Sequence, residues 1–154
     1  MKGKHLLARL IQCRALAQCS PCPRAKFGAV ILDPVRNTVL SDGYNGSPRG
    51  ATHTLCGTAG CLRDQQKIPS GTSTEVGCIH AEANAICNAA ATGTSLAGAV
   101  ILITGEPCLA CSKLIHHSGI VKAYIVAGGY TSDAGCDYLR TYGVEVEYVE
   151  GVDS

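Results

Sequence analysis

Ala99-Val100-Ile101-Leu102-Ile103-Thr104-Gly105-Glu106-Pro107-Cys108-Leu109-Ala110-Cys111 is the stretch that decides the fold. Its apolar, β-branched opening reads as a buried strand, and the Pro-Cys-Leu-Ala-Cys that follows starts a helix. The chain therefore passes from sheet to crossover within one segment. Downstream the alternation continues: a helix over 109–117 ended by Gly119, a strand over 121–126, and a helix over 132–142. Residues 144–149, Val-Glu-Val-Glu-Tyr-Val, alternate strictly and so predict an exposed edge strand.

Upstream, residues 81–91 are strong helix formers and Gly93 supplies a stop. Phe27-Gly28-Ala29-Val30-Ile31-Leu32 and the run beginning Val39-Leu40 flank the turn formers of 33–37 and predict an antiparallel hairpin. Leu6, Leu7, Leu10, Ile11 and Leu16 recur at helical spacing, and Pro21 and Pro23 deny that helix a continuation. Residues 43–77 are rich in Gly, Ser, Thr, Pro and Cys and hold no sustained period, which is long for a bare loop and points to a function. The order of elements predicts one domain over 1–154. It is a three-layer α/β/α fold whose five-stranded mixed sheet is mostly parallel and is entered through an antiparallel pair. Ligands in such sheets sit at the carboxyl ends of the strands, where helix N-termini also point.

Composition narrows the function. With 154 residues, 46% of them hydrophobic and 16% charged, the chain is neither disordered nor large enough for several cores. A formal charge of +1 gives no broad footprint for a polyanion, which argues against general nucleic-acid binding. Arg9, Gln12 and Arg14 interrupt the N-terminal apolar stretch, so neither a membrane span nor a secretory leader is expected, and a cytoplasmic, reducing location is. There, ten cysteines suggest metal rather than disulfides. Cys13, Cys87 and Cys136 lack neighbours at ligand spacing and read as small buried hydrophobes.

Two helix starts carry the chemistry. Cys108 and Cys111 are three apart and can grip one ion, and His80 from the preceding crossover supplies a third ligand. One position stays open for water, and zinc suits this donor set. Backbone N–H groups at the two helix starts offset the charge that thiolates donate to the ion. Glu82 follows His80 by two residues and is expected beside the metal, where a carboxylate can take a proton from water and pass it to a ring nitrogen and then to a leaving amine. H-x-E followed by P-C-x-x-C is the signature of zinc nucleobase deaminases, whereas either half alone would equally fit a redox pair or half a structural site.

These motifs, with Lys26-Phe27-Gly28-Ala29-Val30, Gly43-Tyr44-Asn45-Gly46-Ser47-Pro48, His80-Ala81-Glu82-Ala83-Asn84-Ala85-Ile86 and Ser118-Gly119-Ile120, make the sequence resemble the cytidine deaminase superfamily, most closely its deoxycytidylate (dCMP) deaminases. The resemblance implies the cytidine-deaminase-like fold and hydrolysis of dCMP to dUMP and ammonia. His80, Cys108 and Cys111 would hold Zn²⁺, and Glu82 would shuttle protons. It further implies a sugar contact from Asn45. The phosphate needs cations and hydroxyls, and Arg24, Lys26, Tyr130 and Ser132 lie on segments expected to reach the pocket mouth, where any one of them could instead be a solvated surface group; Ala81 is a further candidate substrate contact. Many such enzymes are hexamers activated by dCTP and inhibited by dTTP. Their effector segment corresponds here to Gly43, Tyr44, Asn45 and Gly46, with Mg²⁺ accompanying a triphosphate.

A second, structural zinc is expected on Cys22, Cys56, Cys61 and Cys78, with His53 as substitute and Cys19 as a competing ligand. Two alternatives stand beside this reading. A tRNA adenosine deaminase shares Glu106 before Pro107-Cys108, but a nearly neutral chain lacks the basic face a tRNA reader uses. A purely structural zinc-binding module leaves Glu82 without a purpose.

Overall fold

The computed structural model describes residues 1, 3–50, 56–57, 60–69, 72, 76–128 and 132–151. Helix α1 (Gly3–Ala17) leads into a hairpin of β1 (Gly28–Asp33) and β2 (Thr38–Tyr44). A small ribbon, β3 (Cys56–Gly57) and β4 (Gly60–Cys61), and the short helix α2 (Leu62–Gln65) follow. The chain then alternates through α3 (Ala81–Thr92), β5 (Val100–Ile103), α4 (Leu109–His117), β6 (Lys122–Val126), α5 (Ala134–Thr141) and β7 (Glu145–Val149).

The five-stranded sheet has the order β2-β1-β5-β6-β7. β1 runs antiparallel to both β2 and β5, and β5, β6 and β7 are mutually parallel. β2, β5, β6 and β7 therefore all point the same way, each reached from the last through one of α3, α4 and α5, with β1 alone running against them. Successive crossovers of one hand, advancing in one direction, put their helices on one face. The sheet is mixed, as expected.

Strand alternation sorts the core into two layers. Ala29, Ile31, Ile101, Ile103, Ala123 and Ile125 join Ala81, Ala85, Ile115, Cys136 and Leu139 beneath α3, α4 and α5. Val30, Leu32, Val100, Leu102, Tyr124 and Val126 face the other way and meet Leu10 and Cys13 of α1. The helical spacing of the N-terminal leucines is realised with a narrower stripe than expected: Leu10, Cys13 and Ala17 are buried, while Leu7 and Ile11 are 46% and 52% exposed. β7 lies at the sheet edge, with Glu145 and Glu147 exposed and drawn to Lys122 at 3.2 and 2.6 Å.

Three expectations need correction. The segment 43–77 carries the β3–β4 ribbon and α2, elements too short to leave a period in the sequence. Cys87 is exposed, because α3 buries the face carrying Ala81, Ala85 and Ala89 and turns Cys87 outward. Pro107 lies before α4 rather than in its first turn, since Cys108 is the N-cap and Leu109 the first helical residue.

Close backbone approach fixes α3 on the hairpin. A Cβ on Gly43 would stand 2.6 Å from the Ala85 nitrogen and 2.8 Å from the Ala81 oxygen, so only glycine lets β2 lie this near the helix. Asn84 and Asn88 donate to the carbonyls of Tyr44 and Asp42 at 2.7 and 2.9 Å, which sets the register.

Candidate active site

His80 is the N-cap of α3 and Cys108 the N-cap of α4, so the two helix starts face each other at the carboxyl ends of the strands. Cys108 Sγ accepts from the Cys111 backbone N–H at 3.4 Å, which satisfies one donor of the first turn and aims both sulfurs the same way. His80 Nδ1 lies 3.4 Å from Cys108 Sγ and 3.5 Å from Cys111 Sγ. Among the described residues this is the only group of His, Cys, Asp or Glu that brings three ligand atoms within 4.8 Å of one another. With Zn–S of about 2.3 Å and Zn–N of about 2.0–2.1 Å, a tetrahedral centre separates nitrogen from sulfur by about 3.5 Å. The donor set fits zinc in chemistry and in spacing.

Electrostatics agree. Hydrogen bonding from the Cys111 thiol, with help from His80, pulls Cys108 down to about 4 against the effect of burial. Cys111 is pushed up in return, by its bond to Cys108, by burial and by Glu82. Of the two thiols, Cys108 is the one that ionises more readily. His80 is raised, chiefly by its hydrogen bond with Cys108, against burial and, to a smaller extent, the charge of Arg63 on α2.

Glu82 is only 6% exposed. Burial raises its pKa from 4.5 to about 7, against the pull of its own backbone N–H and of His80. Because His80 has extended backbone angles, φ −70° and ψ 156°, the helical step does not apply between it and Ala81. That is how ligand and carboxylate come to share one site despite the divergence an unbroken helix would impose. Glu82 stands beside the three ligands and is not one of them.

The other expected residues divide. Asn45 is 4% exposed; its amide accepts from the Phe27 N–H at 2.8 Å and donates to the Ala25 carbonyl at 2.9 Å, so it pins the strand entry that carries Arg24 and Lys26. Ala81 is fully buried, which leaves its backbone amide as the group it can offer a ligand. Arg24 is half-buried and faces Asp64 at 3.4 Å, and Lys26 is exposed. Ser132 Oγ accepts from the Ala134 N–H at 3.3 Å at the start of α5. Tyr130 and His53 lie outside the described residues. Gly43 is explained by packing and Tyr44 is 38% exposed, while Gly46 pairs with Ile79 immediately before His80.

Cys56 and Cys61 face each other across β3–β4. Burial raises the thiols of Cys56 and Cys78, and both feel the charge of Cys22. Cys22 Sγ accepts from the backbone N–H groups of Arg24 and Ala25 at 3.4 and 3.5 Å, while Cys19 is exposed. Sequence reasoning missed Arg63, whose charge is felt at His80, and Asp64, which faces Arg24. Neither belongs to a motif, and only the fold of 56–65 brings them in.

The fold and this centre together define a zinc-dependent hydrolytic deaminase. Residues 4–127 match the family described as the cytidine and deoxycytidylate deaminase zinc-binding region, and the chain belongs to that family. It is 41% identical over 116 residues to the deoxycytidylate deaminase of Mycobacterium phage D29, spanning 70% of this chain and 83% of that one. The deoxycytidylate deaminase of Enterobacteria phage T2 is 33% identical over 161 residues, spanning 85% of each. The crystal structure of the dCMP deaminase of cyanophage S-TIM5 in complex with dCMP and dUMP superposes with a TM-score of 0.79 at 32% identity, covering 97% of this chain and 99% of that one. Among the described residues no helix is long and apolar enough to cross a membrane.

Proposed function

We propose that the protein hydrolyses dCMP to dUMP and ammonia, as a single catalytic domain over 1–154 in the cytoplasm. The observation that carries the reading is the His80–Cys108–Cys111 group with Glu82 buried against it. The similarity to a structure holding dCMP and dUMP supports the substrate.

His80, Cys108 and Cys111 hold the zinc ion. When bound, zinc acts as a Lewis acid and lowers the pKa of water to near neutrality. Hydrolysis requires water to add at C4 of the cytosine ring and the amino group to leave as ammonia. Glu82 takes one proton from the adding water and delivers it to N3, then takes the second from the C4 hydroxyl as the carbonyl forms and passes it to the departing nitrogen, which leaves as ammonia. A carboxyl with a pKa of about 7 is suited to both directions of transfer. Asn45 and the backbone amide of Ala81 hold the sugar and base, and Arg24, Lys26, Tyr130 and Ser132 surround the phosphate. The near-neutral charge favours this small nucleotide over a tRNA, and the burial of Glu82 favours catalysis over a structural module.

Cys22, Cys56, Cys61 and Cys78 hold a second, structural zinc. The pairing of Cys56 with Cys61 across β3–β4 and the nearness of Cys22 to Cys56 and Cys78 support this, and a bound ion would draw the four sulfurs closer than the structure holds them. The enzyme is a homo-oligomer, with a hexamer favoured, activated by dCTP and inhibited by dTTP. Gly43, Tyr44, Asn45 and Gly46 contact the triphosphate, with Mg²⁺ alongside. Assay of the zinc-loaded protein on a nucleotide panel, with product identified as dUMP, tests the reaction. Turnover of adenosine in tRNA without turnover of dCMP would reject it. Velocity curves at subsaturating dCMP that are unchanged by dCTP and dTTP would reject the regulation.

A further inference from the structure

Arg24 and Asp64 lie on separate segments, and a neighbouring residue on each is tied to a stretch of chain that carries a metal ligand. Arg24 belongs to the stretch that Asn45 pins at Ala25 and Phe27. That stretch enters the sheet where the Gly28 N–H donates to Thr104 Oγ1 at 3.0 Å, at the exit of β5 that leads to Cys108. Asp64 lies on α2, next to Arg63, whose charge is felt at His80. The α2 turn is braced: Arg63 Nη2 donates to the carbonyls of Pro69 and Thr72 at 3.3 and 2.8 Å, and the Ile68 N–H donates to the Arg63 carbonyl at 2.9 Å. The position of Asp64 is thus set by its backbone.

Arg24 Nη1 and Asp64 Oδ1 are 3.4 Å apart, with the two side chains 20% and 59% exposed. A charge-assisted N–H···O⁻ bond spans about 2.7–2.9 Å. At the observed separation the carboxylate attracts the guanidinium without a short hydrogen bond, and water at the exposed partner screens the attraction. A phosphate ester carries about two negative charges and several acceptor oxygens, and it matches the guanidinium fork in two places at once. It competes effectively with a carboxylate held at this distance for the same arginine.

We infer that Asp64 is a counter-ion gate for the substrate phosphate: it occupies Arg24 while no nucleotide is bound and yields Arg24 to the 5′-phosphate. Asp64 thereby sets how strongly the enzyme prefers a phosphorylated substrate to the free nucleoside. The inference rests on the deoxynucleotide deaminase reading above.

The test is steady-state kinetics of the zinc-loaded full chain on dCMP and deoxycytidine, for the wild type, Asp64→Asn, Arg24→Ala and the double variant. Releasing Arg24 from its competing carboxylate is expected to raise the dCMP-to-deoxycytidine ratio of kcat/KM about fivefold, through a lower KM for dCMP. In the Arg24→Ala background, Asp64→Asn is expected to leave that ratio where Arg24→Ala put it. An unchanged ratio in Asp64→Asn, a raised KM for dCMP, or a shift that survives loss of Arg24 would overturn the gate. Should the zinc-loaded wild type turn over neither substrate, the proposed reaction falls. The same ratio, read from calorimetric binding of dCMP and deoxycytidine, then decides the gate by itself.

Discussion

At Glu82 burial and chemistry pull in opposite directions. The site needs a carboxylate that takes and gives protons near neutrality, and burial to 6% exposure lifts its pKa from 4.5 to about 7. In the metal-free protein that shift reads out as stability. Below pH 4.5 the group is protonated in both folded and unfolded chains and costs nothing; as the pH rises toward about 7 the unfolded chain ionises first and the fold loses about 3 kcal/mol, after which the loss is constant. Glu82→Gln removes the effect. Metal-free Glu82→Gln is therefore expected to unfold at higher denaturant than metal-free wild type at pH 8 and at the same denaturant at pH 4, by chemical denaturation. In the zinc-loaded enzyme the same substitution is expected to lower kcat on dCMP by about 10²–10⁴-fold, the usual contribution of general acid–base catalysis, with zinc content unchanged. The ligands and this carboxylate were legible in the sequence because H-x-E and P-C-x-x-C are local spacings at helix starts. Their shared orientation was not, since it depends on the extended backbone of His80.

Between elements, two glycines hold the site in shape. Gly43→Ala would drive a methyl toward the backbone of Ala85 and Ala81 and is expected to destabilise the fold by about 1–3 kcal/mol, measurable by thermal or urea unfolding. Gly135 in α5 meets the loop before α4: a Cβ there would collide with the Pro107 carbonyl oxygen. Gly135→Ala must push on the residue preceding Cys108. It is expected to weaken zinc retention during dialysis as well as stability, whereas Gly43→Ala is expected to act mainly on stability. At this scale long elements with clear periods and stops, such as α4 over Leu109–His117, could be read from sequence directly. The β3–β4 ribbon and α2 could not, because strands of two residues and a single helical turn carry no period. Arg63 and Asp64 went unnoticed for the same reason.

The whole molecule distributes its ten cysteines by environment. Cys13 is fully buried and its thiol is pushed up to about 12, chiefly by burial. Cys19 and Cys87 are exposed. Alkylation of the native, zinc-loaded protein at pH 8, mapped by peptide mass spectrometry, is expected to mark Cys19 and Cys87 and to spare Cys13. It is also expected to spare Cys108 and Cys111 until the metal is removed. One sheet whose strands β2, β5, β6 and β7 share a direction puts two helix starts at one end, and that convergence makes a single ion-binding centre out of residues far apart in sequence. The most direct test of that centre is to strip the protein with a strong chelator and return zinc in measured steps while following dCMP turnover. Turnover is expected to vanish with the metal and return with bound zinc in wild type, and not to return in Cys108→Ala at the same zinc; full turnover by the stripped protein would contradict the account.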